Sequence, residues 1–170
     1  MKRTALTSLI VAAMAALVVA GCGGGGNQAT AASVQSGGGS HTIGVTGNGD
    51  LGKILVDSNG RTVYLFAKDT GAKSTCSGAC AADWPPVTTS GKPTAGSGLT
   101  ASMVGTTTRS DGTKQVTYNG HPLYLYVGDQ SAGDTNGQGV DAFGARWYAL
   151  SPQGDTVTAM GSGSGGGYSY

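Results

Sequence analysis

The chain has 170 residues, of which 11% are charged, where an average soluble domain carries roughly 25%. Glycine occupies 32 positions and all nine acidic residues are Asp; with no Glu, and with Ala crowded into the first 32 residues, few ordinary surface helices can form. A formal net charge of +1 leaves no electrostatic footprint for nucleic acid, and one stretch alone, at the N-terminus, is apolar enough for a membrane.

That stretch opens with Lys2 and Arg3 and runs uncharged from 5 to 20 through Leu9, Ile10, Val11, Leu17, Val18 and Val19. At about 16 residues it is shorter than the roughly 20 of a spanning helix and has the layout of a secretory signal. It ends on Val19-Ala20-Gly21-Cys22, which resembles the lipobox of bacterial lipoproteins. The resemblance implies cleavage before Cys22, a diacylglycerol on its thiol and an acyl chain of the palmitate type on its amine. Cys22 would then hold the exported protein to the outer face of the bacterial cell membrane, since two or three chains suffice for stable anchoring. An uncleaved transmembrane anchor with a structural cysteine is the alternative. Removing 1–21 leaves eight basic residues against nine Asp, a formal charge of −1, so attachment would rest on the acyl chains and not on anionic lipid.

Residues 22–40 form a Gly/Ser-rich linker and 161–170 a second low-complexity tail, both expected to be disordered, the linker with a reach of roughly 25 Å. Between them, 41–160 has the length of one domain. Its signal is β, and it repeats. Ile54-Leu55-Val56 leads through Asn59-Gly60 into Tyr64-Leu65-Phe66, and sixty residues later Val116-Thr117-Tyr118 leads through Asn119-Gly120 into Tyr124-Leu125-Tyr126. Asn-Gly between β-rich runs predicts a hairpin with a type I′ turn in each copy. Each copy then reaches a tryptophan, Trp84 or Trp147. The expected fold is all-β, two hairpin-based repeats (about 51–100 and 108–155) packed as a small sandwich or barrel-like pseudo-twofold domain.

Tyr64-Leu65-Phe66-Ala67-Lys68-Asp69 and Tyr124-Leu125-Tyr126-Val127-Gly128-Asp129 resemble the bacterial secreted or lipoprotein repeat family with the Yx(F/W/Y)xxD motif. The resemblance covers about 51–152 and implies a predicted lipoprotein with two or more repeats and no established biochemical function.

In a strand the aromatic pairs Tyr64/Phe66 and Tyr124/Tyr126 share one face while Leu65 and Leu125 take the other, so both faces are expected to be buried. Asp69 and Asp129 fall where the chain leaves the strand. Each is expected to accept backbone N–H bonds and fix the exit turn, with a loss of about 1–2 kcal/mol on replacement by Ala and independent effects; a pseudo-symmetric ligand or cation site is the other reading. Cys76 and Cys80, separated by Ser77-Gly78-Ala79, read as a disulfide staple in an oxidising compartment, or else as a redox or metal pair. Asp134, Asn136 and Asp141 are weak calcium candidates in a loop that has Ala145 where the bidentate Glu belongs. Non-covalent haem on the isolated His121 is a further alternative; covalent attachment is ruled out by the three-residue spacing and by Ala81 after the second cysteine.

No nucleophile elbow, zinc-protease helix or phosphate loop occurs in the chain. The function expected is therefore a non-enzymatic surface lipoprotein, without cofactor, whose β domain binds an envelope protein or small ligand. An envelope redox or electron-transfer accessory is the alternative.

Overall fold

A computed structural model describes residues 42–160; the signal region, Cys22, the linker, His41 and the C-terminal tail lie outside the described residues. Strands β1 (Thr42–Asn48), β2 (Gly52–Val56) and β3 (Tyr64–Phe66) lead to a short helix α1 (Ala79–Asp83) and to β4 (Thr94–Ala95). A 3-10 turn at Ala101–Met103 opens the second half, followed by β5 (Val104–Thr108), β6 (Lys114–Tyr118), β7 (His121–Pro122), β8 (Asp141–Ala142) and β9 (Ala145–Ala149). The fold is all-β and built from two repeats, as the sequence pattern predicts.

Hairpin β1–β2, with Thr46 opposite Ile54, corresponds to hairpin β5–β6, with Thr106 opposite Val116. The repeats meet at Tyr64 and Tyr124, which stand sixty positions apart and exchange both backbone hydrogen bonds, at 2.8 and 2.9 Å. When equivalent residues face each other in an antiparallel pair, a pseudo-twofold axis passes between them. Outward from this axis, β3 pairs with β9, Phe66 opposite Trp147. On the other side Leu125 N–H donates to Pro85 O at 2.8 Å and Val127 N–H to Asp83 O at 3.1 Å, the counterpart of Ala67 N–H to Arg146 O at 2.9 Å. Each motif strand therefore pairs with the tryptophan segment of the other repeat. The two halves are interleaved, not side by side.

Because side chains alternate across a strand, this central sheet separates two cores. Tyr64, Phe66, Trp84, Tyr124 and Trp147 fill one; Val63, Leu65, Leu123, Leu125, Val87 and Leu150 fill the other. Both faces of the motif strand are buried, which explains its aromatic-aliphatic-aromatic pattern.

The two Asn-Gly turns differ. Asn119 (φ 48°) and Gly120 (φ 79°) form a two-residue type I′ turn between β6 and β7. The first repeat carries one more residue between the positions that pair, Val56 with Thr62, against Thr117 with Pro122. That residue converts its loop to a three-residue type: Gly60 N–H donates to Asp57 O, Asp57 N–H to Arg61 O, and Gly60 alone takes φ 78°. The expectation of type I′ geometry at Asn59 is thus corrected, since loop length selects turn type. Asp57 closes this loop by accepting from Asn59 N–H and Arg61 N–H and by pairing with the Arg61 guanidinium at 3.1 Å.

Candidate functional site

The aromatic residues of the two repeats form a single stack. Phe66 lies on Trp147 (centroids 4.1 Å apart), Trp147 on Trp84 (4.0 Å) and Trp84 on Tyr126 (4.3 Å). Tyr64 meets Trp84 edge-on at 5.5 Å and Tyr124 meets Trp147 edge-on at 5.1 Å. The five contacts obey the pseudo-twofold: the axis runs through the Trp84–Trp147 pair and exchanges the others. Offset stacks and edge contacts of this kind add about 0.5–1.5 kcal/mol each beyond area burial.

The motif carboxylates complete the same exchange. Tyr64 Oη donates to Asp129 Oδ2 at 2.6 Å, and Tyr124 Oη donates to Asp69 Oδ2 at 2.7 Å. Each Tyr thus bonds the Asp of the opposite repeat. The remaining carboxylate oxygens accept backbone N–H groups, Thr75 N at 2.7 Å for Asp69 and Asn136 N at 2.9 Å for Asp129. Backbone donors are what the residue type predicts, but they come six and seven residues on, so each Asp closes its whole outer loop and not the exit turn alone. The tyrosine partners were beyond reach of a one-strand argument. Tyr64 and Tyr124 share a backbone hydrogen-bonded pair, so the two carboxylate sites are joined through neighbouring residues, the situation in which substitution effects couple.

Tyr64 and Tyr124 are fully buried, and burial, reinforced by the Asp129 and Asp69 carboxylates respectively, pushes both hydroxyls well above their ordinary value of 10.0. Burial likewise raises Asp129, against the hydrogen bonds from Tyr64 and Asn136 that pull it down. For the tyrosines the folded-state pKa lies above the unfolded one. The stability they contribute is complete below pH about 10 and is lost as pH rises beyond it, by up to about 1.4 kcal/mol per pH unit for each tyrosine. Denaturant unfolding between pH 7 and 11 should show this alkaline loss, and the Tyr64→Phe and Tyr124→Phe variants should each flatten it. A double Phe variant with the wild-type alkaline slope would contradict the assignment.

Cys76 and Cys80 form a disulfide with Cα atoms 5.3 Å apart. Both are buried in the aromatic core, where the short closed loop contributes about 2 kcal/mol. Arg109, itself buried, braces the segment: its guanidinium donates to Cys76 O at 2.6 Å, Ser74 Oγ at 2.7 Å and Gln115 Oε1 at 2.8 Å. Its Nε faces Asp111 at 3.5 Å, and Thr113 hydrogen bonds, followed by Arg109, hold Asp111 below the usual carboxylate range. The Ser74 hydroxyl in turn donates to Tyr124 Oη at 2.7 Å. Sequence inspection missed Arg109, since nothing in an Arg-Ser-Asp-Gly turn signals a guanidinium directed inward.

The calcium candidates do not converge. Asp134 Oδ2 accepts Gln130 N–H and Ser131 N–H at 2.9 and 2.8 Å, Asn136 Nδ2 donates to Gly128 O at 3.2 Å, and exposed Asp141 faces Arg146 at 3.8 Å. Among the described residues no group of three or more His, Cys, Asp or Glu is placed to hold a metal ion. His121 sits half-buried in β7, opposite Tyr118.

A cavity of about 100 Å³ opens at the Tyr126 end of the stack, between Asp83, Trp84, Tyr126 and the β8–β9 turn at Phe143. Phe143 holds φ 59°, a left-handed conformation that costs a bulky residue of order 1–3 kcal/mol. Lys68 Nζ braces the turn by donating to Phe143 O at 3.3 Å. The order of the sequence hides this site. Asp83 stands beside an obvious motif tryptophan, but Phe143 comes sixty residues later, in a Phe-Gly turn that reads as an ordinary connection.

No curated protein and no solved structure matches the chain. A family model described as a secreted repeat of unknown function matches residues 45–88 and 105–151, just over half of the chain. Those two matches are the two interleaved repeats: the first takes in the Tyr64 motif and Trp84, the second the Tyr124 motif and Trp147. With both copies present, and with the reciprocal Tyr–Asp bonds giving the repeated motif a physical reason, the chain belongs to the Lipoprotein_15 family of secreted repeats of unknown function.

Proposed function

We propose that this chain is a non-enzymatic surface lipoprotein: an all-β module, held at the outer face of a bacterial cell membrane by lipidated Cys22, that presents its loops to an envelope protein or a small ligand. The observation that carries the reading is the mutual saturation of the motif. Both tyrosine hydroxyls and both carboxylates are consumed in joining the repeats, so the repeated residues serve as framework. Variation is left to the outer loops and to the cavity beside Tyr126. The anchor is supported by Val19-Ala20-Gly21-Cys22 and by the uncharged linker that separates it from the first strand.

Cys22→Ser should release the protein into the medium or leave it unprocessed, because the lipid chains would be its sole hold on the bilayer. Fractionation with a salt wash, together with metabolic labelling by a fatty-acid analogue, reads both outcomes. A Cys22→Ser protein that is still cleaved yet stays with washed membranes would overturn the anchor.

A further inference from the structure

The cavity at the Tyr126 end of the stack has a composition that selects its ligand. Its walls are aromatic and aliphatic, and two of the exposed large hydrophobic side chains, Val127 at 39% and Phe143 at 37%, stand at its edge. One carboxylate also lines it. Asp83 is half-buried, and among the described residues its side chain has no hydrogen-bond or ion-pair partner. Five backbone acceptors of the lining are already engaged: Asp83 O takes Val127 N–H, Tyr126 O takes Asp129 N–H, Val140 O takes Trp147 N–H, Ala142 O takes the Trp147 indole and Phe143 O takes Lys68.

A second, independent observation is the strain at Phe143. The corresponding left-handed place in the β6–β7 turn is held by Asn119, a residue suited to it. A Phe kept in that conformation, with its ring partly in solvent, fits a ring presented to a ligand, because strain of this kind gathers at binding sites. The opposite end of the stack cannot act in the same way, since Arg146 occupies the position that is equivalent to Asp83 in the backbone pairing.

We propose that this cavity binds a quaternary, methylated ammonium group, with Tyr126 and Phe143 as its aromatic border and Asp83 as its counter-charge. The inference rests on the binding-module reading and names the ligand class of that module. A primary ammonium carries three N–H donors that need acceptors, and the site offers one carboxylate. A methylated ammonium needs none; it takes its stabilisation from aromatic rings and from the opposite charge.

The probes are choline, its uncharged analogue 3,3-dimethylbutan-1-ol and its primary-amine analogue ethanolamine. Each is titrated into the intact protein and followed by NMR shifts of the Tyr126, Val127 and Phe143 resonances. Choline should give saturable shifts, roughly tenfold tighter than either analogue. Asp83→Asn should erase the preference for choline over the uncharged analogue. Phe143→Asn should lose choline binding at a melting temperature no lower than wild type, because Asn accepts the left-handed turn. Equal binding of choline and dimethylbutanol would overturn the ammonium assignment while leaving an apolar binding module standing. Absence of saturable choline shifts, or full choline binding by Phe143→Asn, would overturn the site itself. The membrane anchor is read separately by Cys22→Ser.

Discussion

Replacing Trp147 by Ala is expected to destabilise the domain by about 3–5 kcal/mol and to lower the melting temperature by roughly 12–20 °C. Trp147 has no exposed surface. Its two faces are covered by Phe66 at 4.1 Å and Trp84 at 4.0 Å, its edge receives Tyr124 at 5.1 Å, and its indole N–H donates to Ala142 O at 3.3 Å. Alanine would leave a void between Phe66 on β3 and Trp84 at the end of α1, and closing it would require β3 or the α1 segment to shift against β9. Trp84→Ala, its pseudo-symmetric counterpart, should have nearly the same effect. The double variant should lose less than the sum, since the two rings stack on each other and that contact is removed only once. Tyr126→Ala, at the half-buried end of the stack, should cost distinctly less. Thermal and denaturant unfolding of the four variants measures the series. A Trp147→Ala melting temperature within a few degrees of wild type would show that the stack does not hold the domain.

Much of this arrangement was legible in the chain because it depends on local pattern. The sixty-residue offset predicts two repeats, the Tyr-Leu-Phe alternation predicts a strand buried on both faces, and the Cys76–Cys80 spacing permits the staple that forms. What escaped is whatever depends on which repeat meets which. Internal similarity says that Tyr64 and Tyr124 occupy equivalent environments, but it is equally compatible with two self-contained hairpin units and with two exchanged ones. Asp69 was therefore expected to serve its own strand's exit, whereas its outer oxygen receives Tyr124, 55 residues away. The same limit hid Arg109, which reaches back 33 residues to the Cys76 carbonyl. A single residue of loop length, invisible to an Asn-Gly signal, moved the first hairpin out of type I′ geometry. The Asp83–Phe143 cavity is again a product of exchange: Asp83 precedes the tryptophan of the first repeat, while Tyr126 and Phe143 belong to the second.

That exchange has a consequence for folding autonomy, and it is the second large effect expected. Residues 42–98 and 99–160, prepared as separate chains, should each fail to show a cooperative unfolding transition as monomers. A lone first repeat keeps the β1–β2 hairpin, but its motif strand loses both neighbours, Tyr124 on one side and β9 on the other. Tyr64, Phe66 and Trp84 would then face water without Trp147 and Tyr124, and the Tyr64 hydroxyl would have no carboxylate. A two-stranded hairpin with an uncovered apolar face is marginal at best, and about 60 residues already sit at the lower limit of self-sufficient domains. Mixed in equal amounts, the two halves should recover the β spectrum and the buried-tryptophan fluorescence of the intact domain. The melting temperature should rise with concentration, as mass action requires for a bimolecular fold. In the intact chain the connection through β4 and the 3-10 turn replaces that second-order step with a fixed effective concentration, so its melting temperature should not depend on concentration. A half that folds cooperatively as a monomer, or halves that stay unfolded together, would contradict the interleaved architecture; recovery limited to the mixture would show that neither repeat is a domain until it holds the other's aromatic strand.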